Sequence, residues 1–377
     1  MKRISLTPRE DWQRKVVQLG LTFHSPNGQP YWDESACYKF TSPEVDVLEA
    51  ATEELQKLCL AAGQFIIDNN RFADLAIPAD AWPVIQQAWV AEPPSIYGRF
   101  DLAWNGVEPP KLLEYNANTP TSLLEAAVIQ WHWRQEVFPA TDQFNSIHEK
   151  LIAKWSELKR YLQPGALHFT CLPNDEDLMT VTYLRDTAQQ AGIATEHLFV
   201  RDIGFNQTDR TFRNLTDQPI RSIFALYPWE WLLADDFAQP ILTTYRQVDW
   251  VEPIWKMLWS NKGLLAILWE MFPGHPNLLP AFLDAPRSLT RWVKKPLLSR
   301  EGSNITIHIE GRDIATDGPY GKEGFVFQQL APCWTPDLLN ATIGSWYITD
   351  QGAAGIGIRE DRGMIGNLSR FVPHFFE

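Results

Sequence analysis

The chain has 377 residues, a formal net charge of −13, and 45% hydrophobic and 21% charged residues. Such fractions exclude disordered and fibrous classes. No run approaches the roughly 20 apolar residues of a membrane span, and the acidic balance argues against a nucleic-acid partner.

Helical spacing starts after Ser42-Pro43, an N-cap and a proline suited to a first turn. Leu48, Ala51, Leu55, Leu58, Cys59, Ala62, Phe65 and Ile66 then share one face. Ser122 stands three residues before Glu125, a capping-box spacing, and predicts a helix through Trp131 and Trp133 toward Phe138. Ala166–Cys171, Thr195–Val200 and Ser222–Leu226 read as strands and Asp175–Ala191 as a helix, a βαβ-like lobe over 165–250. Trp255, Leu258, Trp259, Leu265, Leu268 and Trp269 give 250–272 a strong apolar helical face. Beyond Pro280, glycine-separated runs predict short strands at 291–294, 305–309, 324–329, 343–349 and 355–359 in an antiparallel, hairpin-rich region. The expected class is α/β (α+β). The 17 tryptophans need either a large core or a lined groove. Cys37, Cys59, Cys171 and Cys333 show no Cys-x-x-Cys spacing, and the N-terminal residues carry no apolar leader, so a cytoplasmic setting is expected.

The segment 97–118 carries the most chemistry. Phe100, Leu102 and Trp104 alternate with Arg99, Asp101 and Ala103, a period of two. Asn105-Gly106 and Pro109-Pro110 signal a turn, and Lys111–Asn116 alternates again, with Leu112, Glu114 and Asn116 on one face. Pairing 104 with 111 sets Asp101 opposite Glu114 and Arg99 opposite Asn116. Opposed carboxylates repel unless a cation lies between them. With an amide oxygen they form a hard donor set suited to Mg²⁺ and nucleotide phosphates. An ordinary hairpin with a solvated polar face remains the alternative. A second cluster, Lys294 to Asn304, ends a strand in lysines and continues into a loop with Gly302 that can fold over phosphates; a basic surface turn is its alternative. There is no Walker A motif. Gly355-Ile356-Gly357 meets Glu360 where a dinucleotide fingerprint needs glycine.

Taken in order, Tyr97-Gly98-Arg99-Phe100-Asp101, Leu113-Glu114-Tyr115-Asn116-Ala117, Ile254 to Lys262, Val293 to Pro296, Arg300 to Ile305, Gln328-Gln329-Leu330 and Gly355 to Arg359 resemble the synthetase part of the glutathionylspermidine synthase family. The resemblance implies an ATP-grasp fold, circularly permuted as in eukaryotic-type glutathione synthetases, with an inserted small α/β lobe. It implies the N-terminal part of the ligase body with the metal-binding hairpin at 1–160, an inserted substrate-side lobe at 161–250 and a nucleotide-binding part at 251–377; in departure from the bifunctional members, no amidase domain is expected. Asp101, Glu114 and Asn116 would hold Mg²⁺. Lys262 and Lys295 would contact ATP, Glu301 and Gly302 would lie in the phosphate loop, and Gln328, Gln329, Leu330 and Ala331 would border the adenine. Arg99 would stabilise the transition state, and Arg359 would bind phosphate or an acidic reaction centre. Leu298-Ser299 departs from the small, glycine-containing pair expected in that loop. Glu230, after Pro228-Trp229, is the candidate amine-binding carboxylate, with an exposed acid as the alternative.

The implied activity is an ATP-dependent acid–amine ligase acting through an acyl phosphate. Its acid would be glutathione or a peptide, and its amine a polyamine. An ATPase of the same fold without ligase activity, or a non-catalytic peptide- or polyamine-binding module, are the other readings.

Overall fold

The computed structural model describes residues 1–335 and 338–377. The first third holds β1 (Lys2–Ser5), α1 (Trp12–Gln18), β2 (Ala36–Phe40), α2 (Ser42–Asp68), α3 (Trp82–Ala91), β3 (Tyr97–Ala103) and β4 (Lys111–Asn116). The cap of α2 is Thr41, one residue earlier than the sequence suggests. Thr41 Oγ1 accepts from Glu44 N at 3.4 Å, and the Glu44 carboxylate accepts from Thr41 N at 2.8 Å, a reciprocal capping box that leaves Pro43 in the first turn. Leu48, Leu55, Cys59, Ala62 and Ile66 are buried, as their spacing predicts.

The anticipated cap at Ser122 does not form. Ser122 and Glu125 both turn to the Tyr31 hydroxyl, at 2.9 and 2.8 Å, so neither satisfies a helix terminus. The chain instead runs through a widened π-helical turn, Glu125–Ile129, into α4 (Gln130–Val137) and then α5 (Ile147–Leu158).

The lobe follows the sequence closely. It contains β5 (Leu167–Cys171), α6 (Asp175–Gln190), β6 (Thr195–Phe199), the hairpin β7 (Gly204–Asn206) and β8 (Thr211–Arg213), β9 (Ser222–Leu226), α7 (Trp229–Leu232), α8 (Ala238–Thr244) and β10 (Asp249–Val251). A four-stranded parallel sheet runs β10-β9-β5-β6. Asn174 caps α6 by accepting from Asp177 N at 2.9 Å.

The apolar stretch 250–272 is not one helix. It breaks into the end of β10, a 3-10 turn at Ile254–Leu258, and α9 (Leu264–Met271). Asn261 causes the break: Nδ2 donates to Leu75 O at 2.7 Å, and Oδ1 accepts from Gly263 N at 2.8 Å. Trp255 and Trp259 meet Trp89 edge-on at 5.5 and 6.0 Å, so these tryptophans are core.

The last third is strand: β11 (Ala281–Phe282), β12 (Trp292–Pro296), β13 (Thr306–Ile309), β14 (Arg312–Ala315), β15 (Phe325–Gln329), β16 (Leu339–Ile348), β17 (Gly352–Arg362), β18 (Arg370–Val372) and β19 (His374–Phe376). Two five-stranded antiparallel sheets result, β11-β15-β12-β13-β14 and β18-β17-β16-β3-β4. The second joins β3 and β4 to three strands of the last third, and its β4 is an edge. A third, three-stranded sheet, β1-β2-β19, backs it.

Candidate active site

The β3–β4 hairpin forms the floor. Asp101 faces Glu114 and Arg99 faces Asn116, the expected register. Between Asp101 and Leu102 the register shifts, so Ala103, not Trp104, pairs with Lys111. This bulge corrects the expected facing of two leucines. Leu112 joins the core with Phe100, Leu102 and Tyr115, while Leu113 packs with Ala103, Leu279 and Ala331. Behind the floor, Phe100 and Tyr115 stack at 3.8 Å. In front, Arg99 lies over the Trp346 ring at 5.7 Å and crosses Gly344, where a Cβ would come within 2.8 Å of Arg99 Cδ.

The polar groups converge. Arg99 Nε donates to Asp101 Oδ1 at 2.6 Å, Nη2 to Oδ2 at 3.0 Å, and Nη1 to Thr121 O at 2.6 Å. Asn116 Nδ2 donates to Asp101 Oδ2 at 3.0 Å and to Glu114 Oε1 at 3.3 Å. Lys262, carried in by the Asn261 break, places Nζ 2.9 Å from Glu114 Oε2 and donates to Ser299 O at 2.6 Å. Burial raises the Asp101 carboxyl, with Arg99 opposing. Burial would raise Glu114 too, but Lys262 and Lys295 outweigh it and hold that carboxyl at about 2. Burial works against the Arg99 charge, yet Asp101 more than compensates and its pKa is raised.

A cleft of about 490 Å³ opens above this floor. Arg99, Asp101, Glu114, Asn116, Lys262, Glu301, Gly302 and Arg359 all line it. Glu301 and Gly302 form a left-handed turn, φ 55 and 74, in which a Cβ on Gly302 would meet Ile365 O at 2.9 Å. Arg359 of β17 donates from Nη2 to Gly366 O at 2.6 Å and lies over the Tyr31 ring at 5.6 Å.

Other expected residues stand outside the cleft lining. Lys295 is buried behind the hairpin, donating to Leu113 O and Gln328 Oε1, each at 2.8 Å. Burial pushes its ammonium pKa down to about 8, with Glu114 opposing. Gln328 is buried, donating Nε2 to Leu112 O at 2.8 Å. Gln329 is half-buried, and Leu330 and Ala331 pack in small apolar clusters. Glu230 is not an exposed acid: it accepts from Arg300 Nη2 at 2.8 Å and borders a side cavity of about 100 Å³.

Sequence reasoning assigned no site role to several cleft residues. Arg300 donates to Glu230 and Thr119, partners 70 and 181 residues away that no local pattern shows. Glu176 and Asp177, in the first turn of α6, also line the cleft. Asn118, 1% exposed, leaves both amide atoms without a partner among the described residues.

Among the described residues no group of three His, Cys, Asp or Glu side chains is placed to hold a metal ion. The set on the hairpin is two carboxylates and an amide, and both carboxylates reach the same Asn116 nitrogen. Turning that amide over presents oxygen from all three side chains, a donor set that fits Mg²⁺.

Several known proteins are similar to this chain. A Haemophilus influenzae protein named "putative acid–amine ligase" is 40% identical over 395 aligned positions, spanning the whole of both chains. Trypanothione synthetase of Crithidia fasciculata is 27% identical over 82% of this chain and 51% of its own length. The bifunctional glutathionylspermidine synthetase/amidase of Escherichia coli is 26% identical over 85% of this chain and 56% of its own. The chain thus spans about half the length of these last two. A glutathione synthetase-like effector from Globodera pallida, in its apo form, superposes with a TM-score of 0.59 at 9% identity, covering 98% of each chain. That likeness shows the fold, a mixed α/β architecture of the ATP-grasp type. The sequence profile described as glutathionylspermidine synthase preATP-grasp matches residues 3–377, and the chain belongs to that family.

Proposed function

We propose that the chain is an ATP-dependent acid–amine ligase that joins a peptide-like carboxylate, of the glutathione type, to a polyamine. The observation that carries this is the convergence of Asp101 and Glu114 on one amide, flanked by Arg99 and Lys262, in a cleft next to two antiparallel sheets. Relatives with ligase and synthetase names support the reaction class.

Asp101, Glu114 and the Asn116 amide oxygen would hold Mg²⁺, which when bound offsets phosphate charge. An oxygen of the acid's carboxylate bonds to the γ-phosphorus as the bond to the bridging oxygen breaks, and ADP leaves. The amine nitrogen then bonds to the acyl carbon, phosphate leaves with the bonding pair, and the amine gives up a proton. Arg99 and Lys262, with Lys295 behind them, supply positive charge where the phosphoryl group moves. Glu301 and Gly302 cover the phosphates, Arg359 takes an anion, and Gln328 to Ala331 lie toward the adenine. Glu230 binds the amine once Arg300 turns to the phosphates. In this reading 1–160 is the N-terminal part of the ligase body, 161–250 the inserted substrate-side lobe and 251–377 the nucleotide-binding part, and the setting is cytoplasmic.

ADP release with Mg²⁺, glutathione and a panel of polyamines tests the proposal. Turnover that requires both acid and amine supports it. ATP turnover that no acceptor stimulates favours an ATPase, and no ATP binding sinks both.

A further inference from the structure

Ser122 is a cleft residue that the ligase reading does not use. Its backbone lies in the left-handed region, φ 63, a conformation a non-glycine residue keeps only where its surroundings impose it. That conformation brings Oγ within 2.9 Å of the Tyr31 hydroxyl, and Tyr31 donates to Glu125 Oε1 at 2.8 Å. Ser122, Tyr31 and Glu125 are 3%, 1% and 2% exposed. The result is a continuous line of hydroxyls from the cleft wall to a buried carboxylate. Glu125 also opens the π-helical turn at 125–129, a rare local geometry that recurs at functional sites. A cap of ordinary geometry would have pointed Ser122 at a backbone N–H instead.

Thr121, the residue before Ser122, holds Arg99 through its carbonyl. The relay mouth therefore lies one residue from the group that fixes the Arg99 guanidinium. The charges facing Glu125 are Glu176 from α6 and Arg359 from β17, acting in opposite directions, and Tyr31 is its hydrogen-bonding partner.

We propose that Ser122, Tyr31 and Glu125 form a proton relay that accepts the proton released when the amine attacks the activated acyl group. The proposal rests on the ligase reading above. As the C–N bond forms and the C–O bond to phosphate breaks, the proton leaving nitrogen passes to Ser122 Oγ. The Ser122 proton passes to Tyr31 Oη, and the Tyr31 proton to the Glu125 carboxylate. The amine attacks as the free base, its one departing proton ends on Glu125, and phosphate leaves with the bonding pair and is protonated by solvent, so protons and charges balance. The first half of the reaction, carboxylate on ATP, releases no proton and does not need the relay. Ser122 would touch the substrate; Tyr31 and Glu125 act through it as positioning residues.

The test uses the whole chain with ATP, Mg²⁺, glutathione and spermidine. Glu125→Gln keeps an acceptor for Tyr31 but cannot take a proton. It is expected to lower kcat for amide formation about 100-fold or more, the usual yield of positioned proton transfer. Isotope scrambling in ¹⁸O-labelled ATP with glutathione alone, and KM for spermidine, should stay unchanged. Burial raises the Glu125 carboxyl to about 6. Acid protonates it and blocks the relay, so the wild-type rate should fall below that pH and the Glu125→Gln rate should not show this limb. Tyr31→Phe should reproduce the kcat loss. An unchanged kcat and acid limb in Glu125→Gln, loss of scrambling in parallel with amide formation, or transfer of the acid limb to Asp177→Asn would each overturn the relay. A wild-type chain that neither scrambles label nor forms amide would instead overturn the ligase reading.

Discussion

Arg99 grips both oxygens of Asp101 from two positions away on the same strand, Nε on Oδ1 at 2.6 Å and Nη2 on Oδ2 at 3.0 Å. A lysine keeps the charge but cannot reproduce this planar fork. Arg99→Lys and Arg99→Ala are therefore both expected to lower amine-dependent ADP release by about 100-fold or more, as loss of a positioned transition-state donor does. Full turnover in either variant ends the role given to Arg99.

Glu114 is paired with Lys262, and both Asp101 and Glu114 reach the Asn116 amide. Glu114→Gln removes a charge that a divalent ion would use. The Mg²⁺ concentration for half-maximal turnover should rise by at least the roughly 10-fold that loss of even an outer hydrogen bond costs a metal site. Chelation should abolish wild-type turnover, and Mg²⁺ should restore it. An unchanged Mg²⁺ titration in Glu114→Gln removes it from the donor set.

Gly302 has φ 74 and no room for a Cβ against Ile365 O. Gly302→Ala strains the turn by about 1 kcal/mol or more. The strain falls on the loop over the cleft, so KM for ATP should rise while the melting temperature moves by a few degrees at most. A wild-type KM for ATP would show that the turn does not position the nucleotide.

His374 is fully buried, and burial lowers its pKa from 6.5 to about 3. The unfolded chain takes up a proton as pH falls through 6.5, whereas the folded chain resists until about 3, so stability is lost across that window. At pH 5 the loss from this group is about 2 kcal/mol. His374→Gln, which cannot titrate, should flatten the stability difference between pH 7 and pH 5 in urea unfolding. An equally steep fall in the variant excludes His374 as its source.

The hairpin was legible because period-two alternation and the turn residues between 105 and 110 are local signals, and cross-strand register follows from them. The lobe was legible because short apolar runs alternating with a helical stretch are also a local signal. Three features were not, and each depends on a partner far along the chain. The Ser122 turn answers to Tyr31, the break before Lys262 to Leu75 O, and the bulge lies where a second sheet docks. Local pattern likewise placed Asp101 beside Glu114 but could not place Arg359, Glu176 and the 300–304 loop around one cleft. The helical spacing of Trp255 and Trp259 identified core correctly, although the segment is not a single helix.

The bulge has one more consequence, for self-association. β4 is an edge strand, and an edge exposes N–H and C=O groups that can recruit another chain's strand. Here Leu112 N donates to Asn277 O at 2.8 Å, Leu112 O receives Gln328, and Leu113 O receives Lys295. The extra residue that re-aims Leu112 and Leu113 thus lets side chains from the neighbouring sheet end the ladder. The strand carrying Glu114 and Asn116 is protected there from edge-to-edge pairing.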